Sequence, residues 1–307
     1  MITIPESDLV VHPLCLGGNV FGWSADESAS HAVLDAYFAH GGNFIDTADV
    51  YSEWKEGNSG GDSEKIIGTW MKARGNRDKV VIATKVAKFS KRPGLSATNI
   101  LAACEESLNR LQSDYIDLYY SHEDDAKVPM EETLGAYAQL IAQGKVRNIA
   151  ASNFTAARLA QALRFSAENS LPSYIAVQDQ YNLMAREPFE SETAPVLLEN
   201  SISCLPFFGL ARGFLTGKYR PGITIESVRA AGVSDYLNEK GYGVIEALDL
   251  IAKNHNASIA AVALGWLRSN PAVSAPIASA RTVEQLNEII QVVELSATEV
   301  ETLNAIS

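Results

Sequence analysis

Proton-handling residues stand at the ends of several short apolar runs. In GGNFIDTADVYSEW, residues 41–54, the run NFI is followed by Asp46, Asp49 and Tyr51; VVIATK ends in Lys85, and LYYSH ends in His122. A phenol, an ammonium, a carboxylate and an imidazole held together can deliver a proton to a carbonyl oxygen. Tyrosine near its reference pKa of about 10 is a weak acid, and a neighbouring lysine favours its phenolate. At about 4 Å and an effective dielectric of about 20 that attraction is roughly 4 kcal/mol, against about 1.4 kcal/mol per pKa unit. The expectation is a Tyr51 phenol drawn down towards neutrality. Asp46 would keep Lys85 charged, and His122 would orient the carbonyl or share the proton. Taken singly, each residue has a plainer use: Asp46 as a helix cap, Tyr51 and Lys85 as surface residues, His122 as a structural histidine. The run Glu123-Asp124-Asp125 reads as a solvated loop that would keep His122 protonated if close.

These residues meet only if the runs that carry them are neighbours. Eight β-rich runs recur: PLCLGG, NFIDTA, KVVIATK, DYIDLYYSH, RNIAASN, YIAVQDQ, SCLPFF and VSAPIAS. Between them lie stretches such as 97–111 and 130–143, whose apolar residues recur every three or four positions and predict helices. Strands alternating with helices imply a parallel sheet, and continuous Val/Ile/Leu runs suit strands covered on both faces. Eight units predict a (β/α)8 TIM barrel, with residues 1–13 as a short N-terminal extension and a long loop after strand seven, over 214–243. An open doubly wound sheet is the runner-up, weakened because no GxGxxG follows the first strand. In a barrel the C-terminal strand ends share one face, so Asp46, Tyr51, Lys85 and His122 would line one mouth. No linker or repeat divides the chain, so 1–307 reads as one domain.

The bulk composition narrows the partners. A net charge of −12 argues against general affinity for nucleic acid or an anionic membrane, since both are held by Lys and Arg. Any anionic ligand would need a local cationic pocket. Cys15, Cys104 and Cys204 are far apart with no CxxC, which suggests buried free thiols and no metal site. No stretch reaches the roughly 18 to 20 apolar residues of a membrane span, and residues 1–10 lack a signal-like pattern, so a cytoplasmic location is expected.

Several motifs in order, GGNFIDTADVY, VVIATK, DYIDLYYSH, GKVRNIAASNF, FFGLARGFLTGKY and PIASARTVEQL, make the sequence resemble the aldo-keto reductases over nearly its whole length. The resemblance implies a (β/α)8 barrel, NADPH as hydride donor with NADH as the alternative, and a catalytic tetrad of Asp46, Tyr51, Lys85 and His122 with Tyr51 as general acid. It also implies that Ser152, Asn153 and Gln180 bond the nicotinamide carboxamide, and that Phe207 stacks on its ring, with the stacking face but not the polar handle of Tyr or Trp. Gly209, Leu210, Arg212 and Lys218 would follow the pyrophosphate. Ser279, Arg281, Gln285 and Glu288 would hold the adenosine end, with Arg281 on the 2′-phosphate. Ile289 stands where the family has an asparagine, which leaves the adenine contact open.

The expected substrate is a small carbonyl compound. Trp23 and Trp54, and with them Phe21, are candidates for its walls, although all three could be packing aromatics. The Gly-rich loop 54–62 is expected to be mobile and to frame a hydrophilic, sugar-derived carbonyl. Two further readings share these residues: an NADP-dependent dehydrogenase running in the oxidative direction, and a cofactor-binding regulatory module resembling channel β-subunits. In that branch an asparagine replaces the histidine, so His122 favours the enzyme.

Overall fold

In the computed structural model, residues 1–223, 225 and 232–307 are described. An antiparallel hairpin, β1 (Ile2–Thr3) and β2 (Val10–Val11), precedes β3 (Cys15–Gly17), α1 (Glu27–Ala39), β4 (Phe44–Asp46), α2 (Asp62–Arg74), β5 (Val81–Val86) and α3 (Ala97–Leu111). The alternation continues through β6 (Ile116–Ser121), α4 (Met130–Ala142), β7 (Val146–Ser152), α5 (Ala156–Asn169), β8 (Tyr174–Gln178), α6 (Ala194–Glu199) and β9 (Ser203–Cys204). It ends with α7 (Glu239–His255), α8 (Ile259–Ser269), β10 (Ile277–Ala278), α9 (Val283–Ile289) and α10 (Ala297–Ile306). Several helices start where side-chain caps satisfy the first free amides: Asp26, Ser96, Thr155, Asn238 and Ser258 each accept from the third residue on.

The eight strands β10-β3-β4-β5-β6-β7-β8-β9 form one parallel sheet. Its two edges meet: Cys204 N donates to Ala272 O at 2.7 Å, Ser274 N to Cys204 O at 3.0 Å and Ile277 N to Pro206 O at 2.9 Å. The predicted (β/α)8 barrel is the observed fold, and closure leaves no free edge. Alternate strand residues fill the inside, among them Cys15, Phe44, Ala83, Leu118, Ala150 and Ala176, while the opposite faces pack against the helices. The expected N-terminal extension is the β1–β2 hairpin, whose Ile4, Leu9 and Val11 join the interior cluster and stopper the lower end. All three cysteines are buried free thiols. Among the described residues no helix is long and apolar enough to cross a membrane.

The connection after β9 differs from the predicted loop 214–243. Phe214 and Leu215 are fully buried, and Phe214 stacks on Tyr219 at 6.2 Å, so the segment starts as core. At its other end α7 already begins at Glu239, and a second helix, α8, follows before β10. Of the five glycines in this segment, Gly241 and Gly243 lie inside α7. Gly241 is there because a Cβ would come 2.0 Å from Tyr236 O, so only a bare backbone fits. Of the predicted loop, residues 224 and 226–231 lie outside the described residues.

Candidate active site

The ends of β4, β5 and β6 bring the proton-handling residues together. Lys85 is fully buried and its ammonium has three acceptors: Asp46 Oδ1 at 2.6 Å, Thr47 O at 2.8 Å and Tyr51 Oη at 2.9 Å. An ammonium has three protons, so this shell is complete. Tyr51 Oη therefore accepts from Lys85 and spends its own proton on Asp46 Oδ2, 3.1 Å away. Gln178 Nε2 donates to the other Asp46 oxygen at 2.8 Å. His122 packs edge-on to the Tyr51 ring with centroids 6.0 Å apart, and its buried Nδ1 has no hydrogen-bond partner in the protein.

The electrostatics differ from the expectation in two respects. Tyr51 is pushed well above the usual phenol range, by burial first and then by the Asp46 carboxylate, rather than drawn down towards neutrality. The single-pair estimate left out desolvation and the anion on the other side of the hydroxyl. Burial also lowers Lys85, which the Asp46 charge opposes. His122 is not kept protonated: burial and the charges of Lys85 and Lys88 depress it well below its ordinary value. The acidic run beside it is otherwise engaged, Glu123 with Lys88 at 3.6 Å and Asp124 with Arg158 at 3.0 Å, while Asp125 Oδ2 accepts from Leu95 N. The carboxylate of Asp49, a further acid of the opening stretch, makes no hydrogen bond with the group. It is buried on the side of Glu64 and Arg110, and neither of its carboxylate oxygens has a partner in the protein.

Asp46, Tyr51 and His122 line a cavity of about 750 Å³ that runs from Trp54 to Glu288. Of the residues expected at a cofactor, Ser152, Asn153, Phe207, Gly209, Leu210, Arg212, Lys218, Ser279, Arg281, Gln285 and Glu288 line it, as does Ile289. Gln180 does not: it is exposed, and Gln178, two residues earlier, takes the place on the wall. The two glutamines share a face of an extended chain, and the register of the strand end decides which one is inside. Asn153 donates to His122 O at 2.9 Å and to Ser152 Oγ at 3.0 Å, from a left-handed backbone with φ 55°. Phe207 packs edge-on to Phe208 at 5.1 Å, and the Arg212 guanidinium lies 4.8 Å from the Phe208 ring. Asn19, Lys88 and Phe208 also line the cavity although nothing in their local sequence marks them.

The aromatic candidates separate. Phe21 is fully buried core, whereas Trp54 is half-exposed and lines the cavity. Trp23 stands behind it at 5.7 Å, edge-on and outside the lining. The loop 54–62 is tied at its centre, since Asn58 Nδ2 donates to Gly22 O at 3.1 Å and Ser52 O at 2.9 Å. Those bonds anchor a segment that composition alone suggested was loose.

The cavity's chemistry suits a large anion. On a chain of net charge −12, its wall carries Lys88, Arg212, Lys218 and Arg281, and its one deeply buried carboxylate, Asp46, is matched by Lys85. The volume lies within the range of small-molecule and cofactor sites.

The model of the family described as "Aldo/keto reductase family" matches residues 13–307. Among similar proteins, the protein tas of Escherichia coli is 33% identical over 324 residues, covering 96% of this chain and 93% of its own. Norsolorinic acid reductase B of Aspergillus parasiticus is 30% identical, covering 98% and 81%. A probable voltage-gated potassium channel subunit beta of Arabidopsis thaliana is 31% identical, covering 94% and 90%.

Proposed function

Because the chain belongs to the aldo/keto reductase family and is an oxidoreductase of that family, we propose that its whole length acts as one barrel domain reducing aldehyde or ketone carbonyls to alcohols with NADPH. The observation that carries this reading is the saturated Lys85 ammonium, which leaves the Tyr51 proton as the mobile one on the cavity wall. NADPH would supply the hydride; Phe207 would face the nicotinamide, Ser152, Asn153 and Gln178 its carboxamide, Arg212 and Lys218 the pyrophosphate, and Arg281 with Gln285 the 2′-phosphate end.

The protein's own part is proton delivery. Raised above its ordinary range, Tyr51 is fully loaded at neutral pH and gives its proton only to a strongly basic oxygen, such as a carbonyl oxygen gaining negative charge. The phenolate left behind lies 2.9 Å from Lys85, so the lysine acts after transfer rather than before it. Asp46 accepts the Tyr51 hydrogen bond at rest and balances the lysine charge throughout. Neutral His122 offers a hydrogen bond to the substrate oxygen without adding a second cation. The buried, unpaired thiols suit the cytoplasm.

The test is NADPH oxidation with a panel of aromatic and short aldehydes, dicarbonyls and sugars, with Tyr51→Phe alongside. The expected result is turnover lowered by about 10²- to 10⁴-fold with NADPH binding kept. Loss of binding as well would mean that Tyr51 is structural. A wild type that binds NADPH and reduces nothing would move the reading to the regulatory module that the channel-subunit relative suggests. Faster NADP⁺ reduction with alcohols or sugars would reverse the assigned direction.

A further inference from the structure

The cavity has a second cation-bearing region, distinct from the stretch with Arg212, Lys218 and Arg281. At the end lined by Tyr51, Trp54 and His122, the Lys88 side chain enters the wall, about a third exposed. Its ion pair is loose: Glu123 lies 3.6 Å away, is nearly half exposed and does not line the cavity. An exposed pair of that kind contributes little and is easily exchanged for another anion. On the wall of the same cavity, Ser24 Oγ is buried with no hydrogen-bond partner in the protein. A buried hydroxyl without a partner is costly unless a ligand or solvent satisfies it. Trp54, braced edge-on by Trp23 at 5.7 Å and Tyr51 at 6.1 Å, supplies a flat apolar surface beside the reacting centre.

Resting on the proton-delivery reading above, we propose that Lys88 is a specificity residue and that the preferred substrates are aldehydes or ketones carrying a carboxylate on a short, flat or apolar spacer. The spacer lies along Trp54, the carboxylate displaces Glu123 from Lys88, and Ser24 completes the polar surround. One cation and one hydroxyl suit a monoanion; a phosphate dianion would call for a denser donor set. Lys88 also contributes to keeping His122 neutral, so a single side chain selects the substrate and tunes the site that receives it.

The experiment compares kcat/KM for 4-carboxybenzaldehyde and for benzaldehyde, with NADPH, in the wild type, Lys88→Gln, Lys88→Arg and Glu123→Gln. Wild type should prefer the carboxylate, Lys88→Gln should lower the preference ratio about tenfold, Lys88→Arg should restore most of it, and Glu123→Gln should raise it several-fold. A ratio that is the same in Lys88→Gln and wild type overturns the proposal. If the wild type reduces neither aldehyde, calorimetric titration of the NADP⁺-loaded protein with 4-carboxybenzaldehyde separates the cases. Binding lost in Lys88→Gln keeps the anion site and leaves the reductase reading to the wider substrate panel; no binding in either protein overturns the proposal.

Discussion

Replacing Asp49 by asparagine should stabilise this protein, by an amount that depends on pH. Asp49 is 1% exposed, its two oxygens have no partner in the protein, and Glu64 adds like charge nearby. Burial, followed by that charge, raises it from 3.8 to about 8. A folded-state value above the unfolded one means that the native protein binds the extra proton between about 4 and 8, so stability falls as pH rises through that window and levels off above it. At about 1.4 kcal/mol per pH unit, the full penalty is at most about 6 kcal/mol at pH above 8. That figure already includes the opposing charges of Arg110 and Arg92, and an asparagine amide left without partners costs roughly 1–3 kcal/mol of its own. With about 2 kcal/mol taken for the amide, the expected net gain for Asp49→Asn is about 4 kcal/mol at pH 8.5, shrinking to nothing near pH 5, where little of the penalty has built up. Urea unfolding of both proteins at pH 5, 7 and 8.5 measures it. A pH-independent difference, or a variant less stable than wild type at pH 8.5, would refute the reasoning.

Three further outcomes follow from the site. Lys85→Met strands the Asp46 carboxylate and should cost about 3–5 kcal/mol in urea unfolding, while adding Asp46→Asn should return much of that; a double variant no better than the single would deny the coupling. His122 is depressed below its unfolded value, so the unfolded chain gains a proton that the native one refuses: stability should be full above about pH 6.5 and fall on acidification, and His122→Phe should flatten that limb of a Tm-against-pH profile. Arg281→Ala should raise the Kd for NADPH by about tenfold or more with little change for NADH, read by fluorescence quenching; equal losses would remove the phosphate role.

What the sequence disclosed was set by the range of the interactions involved. Strand and helix periodicity is local, so eight runs from PLCLGG to VSAPIAS identified every barrel strand, and the 97–111 helix came out with the right ends. The signs of the pKa shifts at Tyr51 and His122 were not legible, because burial and the third charge in each cluster arise only on closure. Gln178 was passed over for Gln180 since both alternate onto the same side and only the strand register chooses. Asp49 stands in the same stretch as Asp46 and Tyr51, yet its charge is felt chiefly by Glu64 and Arg110. The place of Gly241 inside a helix was hidden for a similar reason: what it accommodates is Tyr236, a contact from outside the helix.

The barrel can also be regarded as a hoop with a joint. Its two shortest members, β9 and β10, have two residues each, and the bonds from Cys204, Ser274 and Ile277 fasten them. The chain leaving one side of that joint carries Phe207 to Lys218 and the chain leaving the other carries Ser279 to Glu288, so any molecule lying along both halves of the cavity bridges the joint like a clasp. Occupancy then tightens the hoop where it is least reinforced, and amide exchange at Cys204 and Ile277 becomes a gauge of loading that needs no turnover.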